Sequence, residues 1–290
     1  VEASGSTPSE RYFIAAARTI TISGNVFNDL NANTDNTVNG SGIATADGSQ
    51  LWAYLVDNTG VIADSAAVNS TGAYRFDYVL YAASVSNYEV VLSRHQYAIG
   101  ATSPAVSLPD GWVLTGEYWG SGSGNDGNAD GELAITASTS NIIQVNFGIQ
   151  KIPESAFNLQ PQQYNPAGAV NATVPSNAFY INNVGVSPNT SDFHGGTVTN
   201  IRITDFPTNI NSITINSVSY TSTSWPVGGI VVPFTNNVGI SQTVQVDPID
   251  GWWVDVVILY TAIDNAGWQD LTNGSVTLSF TAPLSLKFLS

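Results

Sequence analysis

With 290 residues, 43% of them hydrophobic and 10% aromatic, the chain is long enough for two domains with cores of their own and is not disordered by composition. Charged residues are only 10% of the chain, well under the roughly 25% of an average soluble protein; polarity comes instead from Asn, Ser, Thr and Gly, the profile of an extracellular β protein. The formal charge of −15 argues against a nucleic-acid partner, and the absence of cysteine excludes disulfides and thiol catalysis.

Residues 1–18 are expected to form an N-terminal extension, small and polar over Ser4–Ser9 and apolar over Tyr12–Ala17. Methionine is absent, position 1 included, so the chain is expected to be processed or to be an excerpt of something longer. No apolar run approaches the ~18 residues of a membrane span. From Thr19 the pattern becomes that of strands. Thr19–Phe27, Leu51–Asp57, Val61–Ala67, Tyr74–Leu80, Tyr88–Leu92 and Ile142–Ile149 alternate or are rich in β-branched and aromatic residues. Turns such as Asp57-Asn58-Thr59-Gly60 and Asn69-Ser70-Thr71-Gly72 separate them.

Periodicity lapses over 151–166, where Pro153, Pro161 and Pro166 stand among glutamines, and a linker is expected there. Beyond it, strands are expected at Val170–Val174, Thr197–Thr204, Ser212–Tyr220, Gly229–Phe234, Gln242–Val246, Trp253–Ala262 and Ser275–Thr281. Residues 284–290 read as a last apolar strand or tail. Strands about every 10 residues with no amphipathic helix between them indicate sandwiches rather than βαβ units. The expected fold is all-β, two tandem prealbumin/Ig-like β-sandwich domains at 19–150 and 167–283.

A run of motifs in the first domain carries a family resemblance. It comprises Ile22–Asp29 with Asn31, Asn33 and the 35–42 loop, then Leu55–Ala63, Gly72–Phe76, Tyr88–Ser93, Leu108–Trp112, Gly124–Gly127 and Val145–Ile149. Over roughly 20–150, and in the right order, it resembles the B-type repeats of serine–aspartate-repeat and collagen-binding adhesins, as found in Bacteroidota surface proteins. The second domain looks like the Ig-like repeats that follow them in long surface and gliding-type adhesins, through Asp205–Asn209, Val246–Pro248 and Tyr260–Gly267. The resemblance implies a stalk or spacer and favours calcium in the Asp29 loop. The Lys–Asn isopeptide bond of some relatives does not carry over, because the only lysines, Lys151 and Lys287, lie outside the first strand.

Two oxygen-rich loops are the candidate calcium ligands. Asp126, Asn128, Asp130 and Glu132 place side-chain oxygens at alternate positions with Gly131 sixth, like the first half of a calcium loop, but position 137, where a bidentate Glu would stand, is alanine. Asp29, Asn31, Asn33 and Asp35, preceded by Asn28, form a second alternating set. Ordinary Asx turns account for the same residues without a metal. Catalysis has little support: His95 and His194, the only histidines, fall in different domains, and Glu117, beside Tyr118 and Trp119, is the one acid whose segment suggests a substrate cleft. Trp119, Trp252 and Trp253 are the candidate residues for stacking on a sugar, and Asp64-Ser65-Ala66 fits a short O-glycosylation sequence at Ser65.

The expectation is a secreted, non-enzymatic module of a cell-surface fibre or adhesin, stabilised by Ca2+, with carbohydrate binding as the alternative. Its expected partners are neighbouring copies or further repeats, joined by strand addition through 12–17 or 284–289, and a host or environmental glycan.

Overall fold

The computed structural model describes residues 18–80, 86–121, 124–182, 184, 189–192, 194–251 and 253–282. Both segments expected to add as strands, 12–17 and 284–289, lie outside the described residues, as does Trp252.

The architecture is all-β, with two main cores each enclosed by two sheets. The main strands of the first sandwich are β1 (Thr19–Asn28), β2 (Trp52–Asp57), β3 (Ile62–Ala67), β4 (Ala73–Leu80), β5 (Ser86–Ser93), β6 (Trp112–Tyr118), β7 (Glu132–Ala137) and β8 (Asn146–Lys151). One sheet runs β4–β1–β8–β6, and β1 and β8 are parallel from Val26↔Phe147 to Asn28↔Ile149. The other runs β7–β5–β2–β3. Alternate residues of β1, Ile20, Ile22 and Val26 among them, face inward to meet Leu55, Phe76, Val90, Leu92 and Phe147. Burying a side chain of this size stabilises the fold by about 1.5–3 kcal/mol, so the period-2 pattern also fixes the register.

The second sandwich contains β9 (Phe157–Leu159), β10 (Gln163–Tyr164), β11 (Val198–Ile203), β12 (Ile210–Ile215), β13 (Val218–Tyr220), β14 (Ile230–Thr235), β15 (Val244–Pro248), β16 (Trp253–Asp264) and β17 (Gly274–Thr281). One sheet runs β9–β17–β16–β11–β14, with β10 also on β17, and the other contains β15–β12–β13. Phe179, at the end of a 3-10 turn, packs edge-on against Tyr260 in this core.

Several expectations are corrected. The stretch 151–166 is not a free linker. Its β9 and β10 pair in parallel with β17, from Phe157↔Ser275 to Tyr164↔Thr281, while Ile152 and Ala156 are buried. Proline is compatible with this because β9 and β10 form the sheet margin, where each proline falls outside the ladder. Ser212–Tyr220 is a hairpin rather than one strand. Asn216 and Ser217, at φ 47° and 68°, turn the chain between β12 and β13. β6 and β7 stand where no strand was expected. A bulge at Gly148/Ile149 and the buried Glu117 break the pattern of β6, and β7 is short and alanine-rich.

Candidate functional site

β1 ends at Asn28, and the chain then winds into a tight polar coil. Three short turns follow one another: Ala32 N–H bonds Asp29 C=O at 3.0 Å, Thr34 N–H bonds Asn31 C=O at 3.0 Å, and Asn36 N–H bonds Asn33 C=O at 2.8 Å. Ala32, Asn33 and Asn36 take positive φ to make it possible. The winding turns oxygens inward. Asp29 is fully buried, and its Oδ2 accepts the Thr115 hydroxyl at 2.9 Å. Its Oδ1 has no hydrogen-bond partner, and neither do the buried Oδ1 atoms of Asn28, Asn31 and Asn33. Burial raises the Asp29 pKa above its usual value, against the opposing effects of Thr115 and the backbone N–H groups of Asn33 and Asn31. Gly148 makes the close packing possible: a Cβ there would lie 2.2 Å from Thr115 Oγ1 and 3.0 Å from Asp29 Oδ2.

Asp35 is the outward-facing member of the set. It accepts hydrogen bonds from Asn39 Nδ2 and Thr37 N, both at 3.0 Å, and the Asn39 bond heads the causes that lower its pKa. The other loop behaves differently from the coil. Asp126, Asn128, Asp130 and Glu132 are all exposed. Asp126 caps Asn128 N–H at 2.9 Å and Asp130 caps Glu132 N–H at 3.1 Å, which are ordinary Asx turns. The acid this loop encloses is Glu117. Its Oε1 accepts Asp130 N–H at 2.9 Å and its Oε2 is buried without a partner; burial pushes its pKa up to about 8. Val38 N–H bonds Gly124 C=O at 3.2 Å and Asn125 Nδ2 bonds Asn36 Oδ1 at 2.6 Å, so the fold brings the two loops side by side.

The coil also touches the second sandwich. Asn28 Nδ2 donates to His194 C=O at 2.8 Å, and Asn265 Nδ2 donates to Leu30 C=O at 3.0 Å. Beside them Gln150 Nε2 donates to Asp264 Oδ2 at 2.9 Å. Lys151 bridges Asp47 at 2.9 Å and Glu154 at 3.5 Å, and the His194 ring lies 4.7 Å from that of Trp112. Gln150, Asp192 and Asp264 are the residues that reading the sequence passed over as ligands or joint groups; Asn28 it had placed with the Asp29 set.

The remaining candidates are scattered. Trp119 and Trp253 are exposed on different sandwiches; Trp253 is 74% exposed. Ser65 is half-buried, cross-strand from the buried Tyr54. No three Asp, Glu, His or Cys side chains converge among the described residues, so any oxygen cage here is built largely of amides.

No protein-family model matches the chain, and no curated protein matches it. Among solved structures it is similar to BcpA, the major pilin subunit of Bacillus cereus, at 10% identity over 90% of this chain and 69% of that one, with a TM-score of 0.37. A DUF3823 family protein from Parabacteroides merdae matches at 11% identity over 91% and 100% of the two chains, with a TM-score of 0.26. The major pilin from Streptococcus pyogenes matches at 9% identity over 93% and 99%, also at 0.26. Likenesses this remote assign no function.

Proposed function

We propose that the chain is a secreted, non-enzymatic spacer of a cell-surface fibre or adhesin, its two sandwiches held in line by calcium bound in the Asp29 coil. The observation that carries this reading is the set of four buried, partnerless oxygens on Asn28, Asp29, Asn31 and Asn33. Each would cost about 1–3 kcal/mol if left unsatisfied. Calcium takes six to eight hard oxygens, and amide and carboxylate oxygens suit it. Those four residues would hold the ion, which would supply the positive charge that Asp29 lacks. The same coil bonds His194 and Asn265 of the second sandwich, so an ion that rigidifies it also stiffens the joint. The adhesin resemblance over 20–150 agrees with this role. Calorimetric titration of the chelator-treated chain with calcium chloride tests it; the absence of both heat and a melting shift would end it.

One observation favours a second reading, carbohydrate binding. Trp253 and Tyr164, both exposed, lie in register on either side of Thr281, so their rings share one face of the sheet. Binding to a glycan array that disappears in Trp253→Ala would establish it.

A further inference from the structure

Where the two sandwiches meet, two polar side chains, Asp192 and Gln150, are buried with unpartnered oxygens beside a third buried side chain, Asp264. Asp192 is 7% exposed, and neither of its carboxylate oxygens has a hydrogen-bond partner. Gln150, from the last strand of the first sandwich, is fully buried; its Nε2 bonds Asp264 Oδ2 at 2.9 Å while its Oε1 has no partner. Asp264 is 2% exposed, and its Oδ1 accepts the N–H groups of Ala266 at 2.9 Å and Trp268 at 2.8 Å. The two carboxylates are close enough that repulsion from Asp264 adds to burial in raising the Asp192 pKa to about 6. Among the described residues neither acid is in an ion pair, since the nearby Lys151 is engaged by Asp47 and Glu154. No long cationic side chain fits against Asp192 on the Gly196 side, where even a Cβ would lie 1.8 Å from Oδ2.

We propose that Asp192 and Asp264, with the side-chain oxygen of Gln150, form a second cation site, for a small hard divalent ion of the calcium type, built from both sandwiches. Buried like charges are stable only when neutralised; the Gln150 amide now turns its N–H side to both carboxylates, and rotating that amide by half a turn brings the unpartnered Oε1 to an ion held by the Asp192 oxygens. The ligands differ from those of the Asp29 coil, so this site stands or falls separately. Its effect is direct: an ion shared by Gln150 on one side and Asp192 and Asp264 on the other ties the two sandwiches together.

The test is the number of calcium ions bound per intact chain, measured by equilibrium dialysis against calcium chloride after chelator treatment. Asp192→Asn and Asp264→Asn are each expected to bind one ion fewer than the unaltered chain. Asn at 264 still accepts the Ala266 and Trp268 N–H groups, so at least one variant keeps the local fold, which circular dichroism checks. Asp29→Asn is expected to lose a different ion, and Asp29→Asn with Asp192→Asn to lose both. Unchanged stoichiometry in both joint variants overturns the proposal and leaves a proton as the occupant. A loss in the joint variants with none in Asp29→Asn sustains it while removing the coil reading.

Discussion

A fully buried carboxylate supported by one hydroxyl and the N–H groups of Asn33 and Asn31, in a coil whose buried amide oxygens lack partners, keeps its charge best beside a cation, and Asp29 is in that position. Calcium at about 100 times its Kd adds about 2.7 kcal/mol to a folded state that alone binds it, or roughly 5–10 °C in Tm for domains of this size. Asp29→Asn and Asn31→Ala are expected to lose that increment, as scanning calorimetry with and without chelator will show. Glu117 provides a pH signature in the metal-free chain. Its folded pKa of about 8 lies above the ordinary 4.5, so the folded state holds the proton more tightly than the unfolded one. The resulting stability is complete below about pH 4.5 and is lost as pH rises through 8. Melting of the chelated protein is therefore expected to shift down across that window, and Glu117→Gln to flatten the slope. Asp29, Asn31 and Asn33 were legible in the sequence because short oxygen-bearing side chains alternate within one local run. Gln150 and Asp264 were not, since they meet across 114 positions and no local pattern marks them.

At the level of elements, long alternating segments such as β1, β16 and β17 could be read directly, because every second residue enters a core. The misreadings cluster where tertiary contacts override local pattern. Over 151–166 the prolines suggested a linker, yet β9 and β10 complete a sheet, and the segment is fastened by Tyr260. The Tyr260 hydroxyl accepts Ala156 N–H at 3.0 Å and lies 2.9 Å from Phe179 C=O and 2.7 Å from Thr190 Oγ1. Burial raises its pKa far above the usual range, which keeps the donor proton in place. Tyr260→Phe leaves those groups short of a partner and is expected to destabilise the second sandwich by about 1–3 kcal/mol, measured by denaturant unfolding. Gly24 marks a similar constraint in the first sandwich. A Cβ there would sit 1.6 Å from Val145 C=O, so Gly24→Ala is expected to separate β1 from the 142–145 segment and abolish cooperative melting of that domain.

For the whole molecule, the joint is largely polar, with Asn28, Gln150, Asn265 and the Lys151 ion pairs set beside the Trp112–His194 ring contact. Chelation is expected to broaden the distance distribution seen by small-angle scattering, and calcium to restore it; an identical distribution in both states would show that the joint is stiff without ions. Among the described residues, the first strand of each sandwich lies beside and parallel to its last: β1 with β8, and β9 and β10 with β17. A pull along the chain enters at the start of one such strand and leaves at the far end of its neighbour. The hydrogen bonds between them are then strained in shear and must give way together, whereas antiparallel end strands would open like a zipper, bond by bond. Resistance to tension is thus set by strand polarity in each sandwich, before any ion is bound.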